Sequence, residues 1–182
     1  MQQRTLAFIG AGNMSRSIIA GLIQAGYPAG RIIAANPSRP KLDELADQFG
    51  IRITQNNAEA AREADVIVLA VKPQLMAAML EALVAELGSL EGKLLVSIAA
   101  GIKVERLQEM AGGHARIIRT MPNTPSLLGL GMTGLYAPTG IAQADRDFAE
   151  QMMQAVGKTL WVAQESGING VIAAAGSAPA YF

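Results

Sequence analysis

The sequence has no cysteine, a single histidine and few charges: 15 Lys and Arg balance 15 Asp and Glu, so charged residues make up 16% of the chain and the formal net charge is zero. The absence of cysteine excludes disulfides, thiolate metal sites and thiol catalysis, and no metal site is expected; it agrees with a reducing cytoplasm. The absence of net charge removes any long-range field that would gather a polyanion, so nucleic acid is not an expected partner. No apolar run reaches the roughly 18 residues that cross a bilayer, the longest being the Ala-rich stretch Gly170 to Phe182, and no membrane span is expected. Arg4 ahead of a brief apolar segment imitates a short signal peptide, but the segment lacks a cleavage site and is accounted for as a strand.

What the chain has is apolar content, 51% of 182 residues, enough for a full core in one domain or one domain plus a fragment. The apolar run Leu6 to Ile9 stops at Gly10, Ala11, Gly12, Asn13, Met14 and Ser15, and Ile18, Ile19, Leu22 and Ile23 then fall on one helical face. This reads as strand, glycine turn, helix. Gly10 can take the tight turn, and Gly12 lets backbone approach a pyrophosphate with no Cβ in the way. Free N–H groups and the positive end of the helix dipole would face the phosphates. Ser15 stands where such motifs carry Gly or Ala and is small enough for close packing. An ordinary glycine-rich turn in a non-binding α/β unit has the same local pattern.

The next strand, Ile32 to Ala35, ends at Asn36, Pro37, Ser38 and Arg39. A domain selecting NAD places an acidic residue there for the ribose 2′-hydroxyl, and that carboxylate would repel a 2′-phosphate. Neutral Asn36 with the Ser38 hydroxyl and the Arg39 guanidinium can accept one instead, which favours NADPH, with NADH weaker. Ser38 is also placed to cap the helix that follows.

Strand-like and helix-like segments alternate throughout, as in a doubly wound, mostly parallel α/β sheet with helices on both faces. The spacing predicts a helix over Arg39–Phe49, a strand near Arg52–Thr54 and a short helix from Asn57, as its cap, through Glu63. It predicts a doubly buried strand over Val66–Val71, a helix from Pro73 to about Leu87, a strand over Leu94–Ile98 and a short helix over Val104–Met110. Strands at Arg116–Met121, Met132–Tyr136 and Lys158–Val162, with a helix from about Ile141 to Val156, complete the series. Small-residue breaks recur at successive strand ends: Gly10–Met14, Asn36–Arg39, Val71–Pro73, Ala99–Gly101 and Met121–Asn123. Ligands of open parallel sheets bind outside the carboxyl ends, so these five segments should border one cleft.

Five segments in this order, FIGAGNM (Phe8–Met14), AVKPQ (Ala70–Gln74), SIAAGI (Ser97–Ile102), RTMPNTP (Arg119–Pro125) and GSAPAYF (Gly176–Phe182), resemble the pyrroline-5-carboxylate reductase family across essentially the whole chain. The resemblance implies an NADP-binding Rossmann-like domain over residues 1–163. It implies that 164–182 begin a C-terminal helical domain that makes the dimer and completes the active site, so the chain looks truncated and its catalytic groups are expected largely beyond Phe182. Ala178 departs from the family's usual Gly. The implied reaction is hydride transfer to the C=N carbon of 1-pyrroline-5-carboxylate, giving proline, in the cytoplasm. Such an imine is basic enough to be partly protonated near neutral pH, which suits a chain with few acid and base candidates.

The resemblance places Ala70, Val71, Lys72 and Pro73 against the cofactor together with Ala99 and Ala100, with Lys72 positioning rather than donating a proton, since a lysine is a poor acid near pH 7. Asn57 matches a position near the adenosine ribose but is equally a helix cap, and Asn123 either holds the carboxamide or orders its loop. His114 follows Gly112 and Gly113 at the amino end of a strand, the wrong end for the cleft. A related 3-hydroxyacid-type dehydrogenase and a non-catalytic dinucleotide-binding module are the alternatives.

Overall fold

Short apolar runs bounded by Gly, Pro and Asn form strands, and amphipathic stretches between them form helices. The computed structural model describes residues 1–114, 116–123 and 131–170. In chain order it has β1 (Leu6–Ile9), α1 (Asn13–Gln24), β2 (Ile32–Ala35), α2 (Arg39–Phe49), β3 (Arg52–Thr54), α3 (Asn57–Glu63), β4 (Val66–Leu69), α4 (Pro73–Leu87), β5 (Leu94–Ser97), α5 (Val104–Met110), β6 (Ile117–Met121), β7 (Gly131–Tyr136), α6 (Gln143–Gln154) and β8 (Gly157–Trp161).

Among the described residues the strands form one sheet in the order β3-β2-β1-β4-β5-β6-β7-β8. Neighbours pair in parallel except β6 and β7, which are antiparallel. Leu6 sits opposite both Ile32 of β2 and Val66 of β4, so the chain order reverses on either side of β1. That reversal opens a crevice at the carboxyl ends of β1, β2 and β4, the general ligand position in doubly wound sheets.

Every residue of β1, β2, β4 and β5 is buried, which is why these strands show no apolar–polar alternation. One face packs Leu6, Phe8, Val66 and Val68 against Ile18, Ile19 and Leu22 of α1, Leu42 and Leu45 of α2, and Phe148 and Met152 of α6. The other packs Ala7, Ile9, Ile67 and Leu69 against α3, α4 and α5 through residues such as Ala61, Leu80 and Leu107. A fully buried Leu or Ile contributes about 1.5–3 kcal/mol, so these two layers supply most of the folding drive.

The expected elements all form, with strand bounds within about two residues of those expected and with local differences at β4, α6 and the caps of α2 and α3. The strand expected to reach Val71 ends at Leu69, because Ala70 and Val71 turn to pack against Gly10. The helix expected from Ile141 to Val156 runs from Gln143 to Gln154, with Ala142 as its N-cap. Asn56, not Asn57, caps α3, its Oδ1 accepting the Glu59 N–H at 3.1 Å. Ser38 is the N-cap residue of α2 by position but its hydroxyl makes no capping bond.

At the amino end of the sheet, Asp145 in the first turn of α6 is buried and ion-paired. Arg116 Nε donates to its Oδ2 at 2.7 Å and Arg4 Nη1 to its Oδ1 at 2.8 Å. Hydrogen bonding from Arg116, and then from Arg4, holds the Asp145 carboxyl below the usual carboxylate range against the opposing effect of burial. The Arg4 guanidinium also lies 4.9 Å from the Phe148 ring centroid, and Tyr27 donates its hydroxyl to the Arg4 carbonyl. This cluster fastens α6 to the edge opposite the crevice.

Candidate functional site

The turn after β1 is built from backbone bonds. Gly10 has φ +111°, and a Cβ there would lie 2.6 Å from the Ala70 carbonyl oxygen, so only glycine fits both the dihedral and the approach of β4. Its N–H donates to the Ala35 carbonyl at 2.8 Å, and its carbonyl accepts the buried Ser15 hydroxyl at 2.8 Å. Ser15 is therefore more than a small residue, since its hydroxyl ties the first turn of α1 back to the end of β1.

Gly12 behaves differently. Its φ is −78°, open to any residue, yet a Cβ built on it meets nothing within 4 Å and would project into open space above the helix start. No side chain caps α1, and its first turn carries no acidic residue. The N–H groups of Asn13 and Met14 begin the helix without an intrahelical acceptor, leaving a donor-rich, positively polarised end at the crevice. The space that a Cβ at Gly12 would take is open.

Asn36 braces this turn from β2. Its Oδ1 accepts the Ala11 N–H at 3.3 Å, and its Nδ2 donates to the Ser38 carbonyl at 3.1 Å and to the Ser38 hydroxyl at 3.2 Å. The amide thus holds the ends of β1 and β2 at a fixed separation. A carboxylate could accept from Ala11 but could not donate to Ser38.

A cavity of about 380 Å³ lies between these strand ends. Its wall combines Gly10, Ala11 and Gly12 after β1 with Ala35, Asn36 and Pro37 at the end of β2, and Ala70, Val71 and Lys72 after β4 with Leu75 and Met79 of α4; Asn57 and Lys41 also line it. Among the described residues its ionisable side chains are Lys41 and Lys72, and no carboxylate faces it. The wall is largely apolar, with backbone donors at one end and two cations, a chemistry suited to a flat heterocycle carrying phosphates. With Asn56 doing the capping, Asn57 is left on the wall.

Of the residues singled out by sequence, Gly10, Ala11, Gly12, Asn36, Asn57, Ala70, Val71 and Lys72 converge on this cavity. Asn13, Met14, Ser38, Arg39 and Pro73 adjoin it without lining it, and Ala99, Ala100 and Asn123 lie at the ends of β5 and β6 further along the same edge. Arg39 is exposed and pairs with Asp43 one turn on at 2.8 Å. Lys41, Leu75 and Met79 were not anticipated; the nearest signal was the helical phase of α2 and α4. Asn123 Oδ1 accepts the Met132 N–H at 3.2 Å. Thr124, Pro125 and Gly176–Phe182 lie outside the described residues.

His114 is at the far end, its Nε2 2.8 Å from the Lys93 carbonyl oxygen. Lys93 in turn donates to the Ala64 carbonyl at 2.7 Å, and burial lowers its pKa. Neither residue reaches the crevice.

Residues 5–101 match the family model described as NADP oxidoreductase, coenzyme F420-dependent. The chain is 54% identical to a pyrroline-5-carboxylate reductase of Vibrio alginolyticus over 182 residues, all of this chain and 66% of the relative. It superimposes on a pyrroline-5-carboxylate reductase from Coxiella burnetii with a TM-score of 0.92 and 39% identity, covering 99% of this chain and 66% of that one. A Plasmodium falciparum pyrroline carboxylate reductase with NADP bound matches with a TM-score of 0.82 at 27% identity, over 100% of this chain and 65% of that one. The chain thus spans about two thirds of the length of the relatives it matches. By the match of its first half, it belongs to the NADP oxidoreductase, coenzyme F420-dependent family, and over its whole length it is similar to pyrroline-5-carboxylate reductases.

Proposed function

We propose that this chain binds NADPH across the β1–β2–β4 crevice and forms the cofactor half of a pyrroline-5-carboxylate reductase, which reduces 1-pyrroline-5-carboxylate to L-proline in the cytoplasm. The observation that carries the reading is the bare Gly12 cradle above an uncapped helix start, in a wall with two lysines and no carboxylate among the described residues. The Asn13 and Met14 amides bind the pyrophosphate, and the end of β2 takes the 2′-phosphate through Ser38, Arg39 and Lys41. The Arg39–Asp43 pair is exposed and weakly held, so it can release the guanidinium to a phosphate. Asn57 adjoins the adenosine ribose, and Ala70–Pro73 with Ala99, Ala100 and Asn123 carry the cleft on toward the nicotinamide end.

When bound, the cofactor supplies a hydride to the C=N carbon of the substrate. The residues around it bind and orient, and among the described residues the cavity wall carries no carboxylate or histidine to serve as a general acid. The imine nitrogen is basic enough to take a proton from water near neutral pH, which makes the C=N carbon electrophilic, so positioning contributes most of the rate. Residues 164–170 lead toward the region through which the subunits associate; 171–182 lie outside the described residues.

The test is an assay of the 182-residue chain with NADPH and 1-pyrroline-5-carboxylate beside the Vibrio alginolyticus relative. NADPH binding with turnover far below the relative's supports the cofactor-half reading. Turnover near the relative's rate would place the complete site within these residues, and failure to bind NADPH would overturn the reading.

A further inference from the structure

Arg119 lies on β6, and by strand alternation it shares the face of Ile117, the face covered by α5. It is only 4% exposed, a place where a guanidinium without acceptors is costly. Its Nη1 donates to Glu165 Oε2 at 3.0 Å, and the same oxygen accepts the Val104 N–H at 2.7 Å. Its Nε is buried with no partner. Among the described residues Glu165 supplies the carboxylate that faces it.

Glu165 is not part of the sheet. It opens the 3-10 turn Glu165–Gly167 after β8, and β8 lies two places from β6 in the strand order. The chain leaving β8 therefore turns back past β7 to reach β6 and the start of α5, and Ile168 just beyond is fully buried. One carboxylate joins the connector, a strand and a helix start.

We infer that Glu165 is a positioning residue that, with Arg119 and the Val104 amide, latches the connector after β8 to the α5 face of the sheet and sets the direction in which the chain leaves it. The inference deepens the proposed function and rests on it, because there the connector joins the cofactor cleft to the helical region. The strand end that Arg119 precedes, Met121–Asn123, continues the cleft edge, so the latch fixes the connector relative to that edge. With the carboxylate gone, Arg119 lacks its acceptor. Because Glu165 is near the surface and the strands are sealed, relief comes from releasing the connector and admitting water, not from opening the sheet.

The test is amide hydrogen exchange on the 182-residue chain and on its Glu165→Ala, Glu165→Gln and Arg119→Lys variants, with NADPH titrated into each. In Glu165→Ala the amides of 164–170 and of Val104 should exchange roughly tenfold faster or more, with those of β1 and β4 unchanged. Glu165→Gln, which keeps an acceptor for Val104, and Arg119→Lys, which keeps the charge, should fall between. NADPH affinity should stay within about twofold, as none of these residues lines the cavity. Unchanged exchange of the connector, or uniform acceleration that includes β1 and β4, overturns the latch. If the parent chain fails to bind NADPH, the cofactor reading falls while the exchange pattern still decides the latch.

Discussion

The side chain of Asn36 at the end of β2 accepts the backbone N–H of Ala11 in the β1 turn at 3.3 Å, so one amide holds together the two strand ends that form the crevice. The same side chain donates to Ser38, which a carboxylate cannot do. Asn36→Asp should therefore keep the Ala11 contact, lose the Ser38 contacts and set a negative charge beside the proposed 2′-phosphate site. NADPH affinity should fall about tenfold or more while NADH affinity changes little, a difference of about 1.4 kcal/mol or more. Titration calorimetry with both cofactors checks this, and equal losses for the two would place the 2′-phosphate elsewhere.

Lys41 lines the cavity, whereas Arg39 does not and pairs with Asp43. A charge-assisted hydrogen bond contributes about 1.5–3 kcal/mol, so Lys41→Ala should weaken NADPH by roughly tenfold or more. Arg39→Ala should cost less, because release from Asp43 offsets part of the gain. The opposite ranking in titration would show that Arg39 leaves Asp43 completely when the cofactor binds. Neither change should move NADH appreciably.

The two glycines of the turn should separate stability from binding. Gly10→Ala meets the Ala70 carbonyl and a positive φ, so it should destabilise the fold by at least the roughly 1–3 kcal/mol typical of overpacking. The Cβ of Gly12→Val meets no atom of the protein within 4 Å, so the melting temperature should hold while NADPH binding disappears. Wild-type NADPH affinity in a well-folded Gly12→Val protein would remove the pyrophosphate from this turn.

Asp145 should give the fold an acid-sensitive component. Its carboxyl titrates lower in the folded chain than in the unfolded one, chiefly through the hydrogen bond from Arg116. The stability it contributes is complete above the unfolded value of about 3.9 and is lost as the pH falls below that, through the folded value. Asp145→Asn should lower stability near pH 7 by about 3 kcal/mol, the low end for a buried pair because Arg116 is partly exposed. It should also flatten the stability curve below about pH 4. Urea melts of both proteins across that range measure the difference, and parallel curves would mean the ion cluster is not the acid-sensitive element.

Local chemistry made most of the fold legible. Runs such as Val66–Leu69 bury both faces and so read as uniform apolar strands, while Gly10 and Pro73 mark where the chain must turn or a helix begin. The cap of α3 was misplaced by one residue because Asn56 and Asn57 are chemically identical, and only the distance to the Glu59 amide separates them. The buried cluster of Asp145 with Arg4 and Arg116 and the pair of Arg119 with Glu165 gave no local signal, since each joins residues far apart in the chain.

The sequence by itself determined the alternation of strands and helices, the glycine turn at Gly10–Gly12, and the neutral end of β2 at Asn36, because each rests on residues within a few positions of one another. Only the tertiary structure decided which strand ends share a wall. The order β2-β1-β4 brings Asn36, Gly12 and Lys72 together and leaves Ala99, Ala100 and Asn123 further along the edge, and it is the phase of α2 against the sheet that sets Lys41 on the cavity wall and Arg39 beside Asp43. Strand order and helix phase come from burying two apolar layers at once, a property of the whole packed chain that no single segment carries.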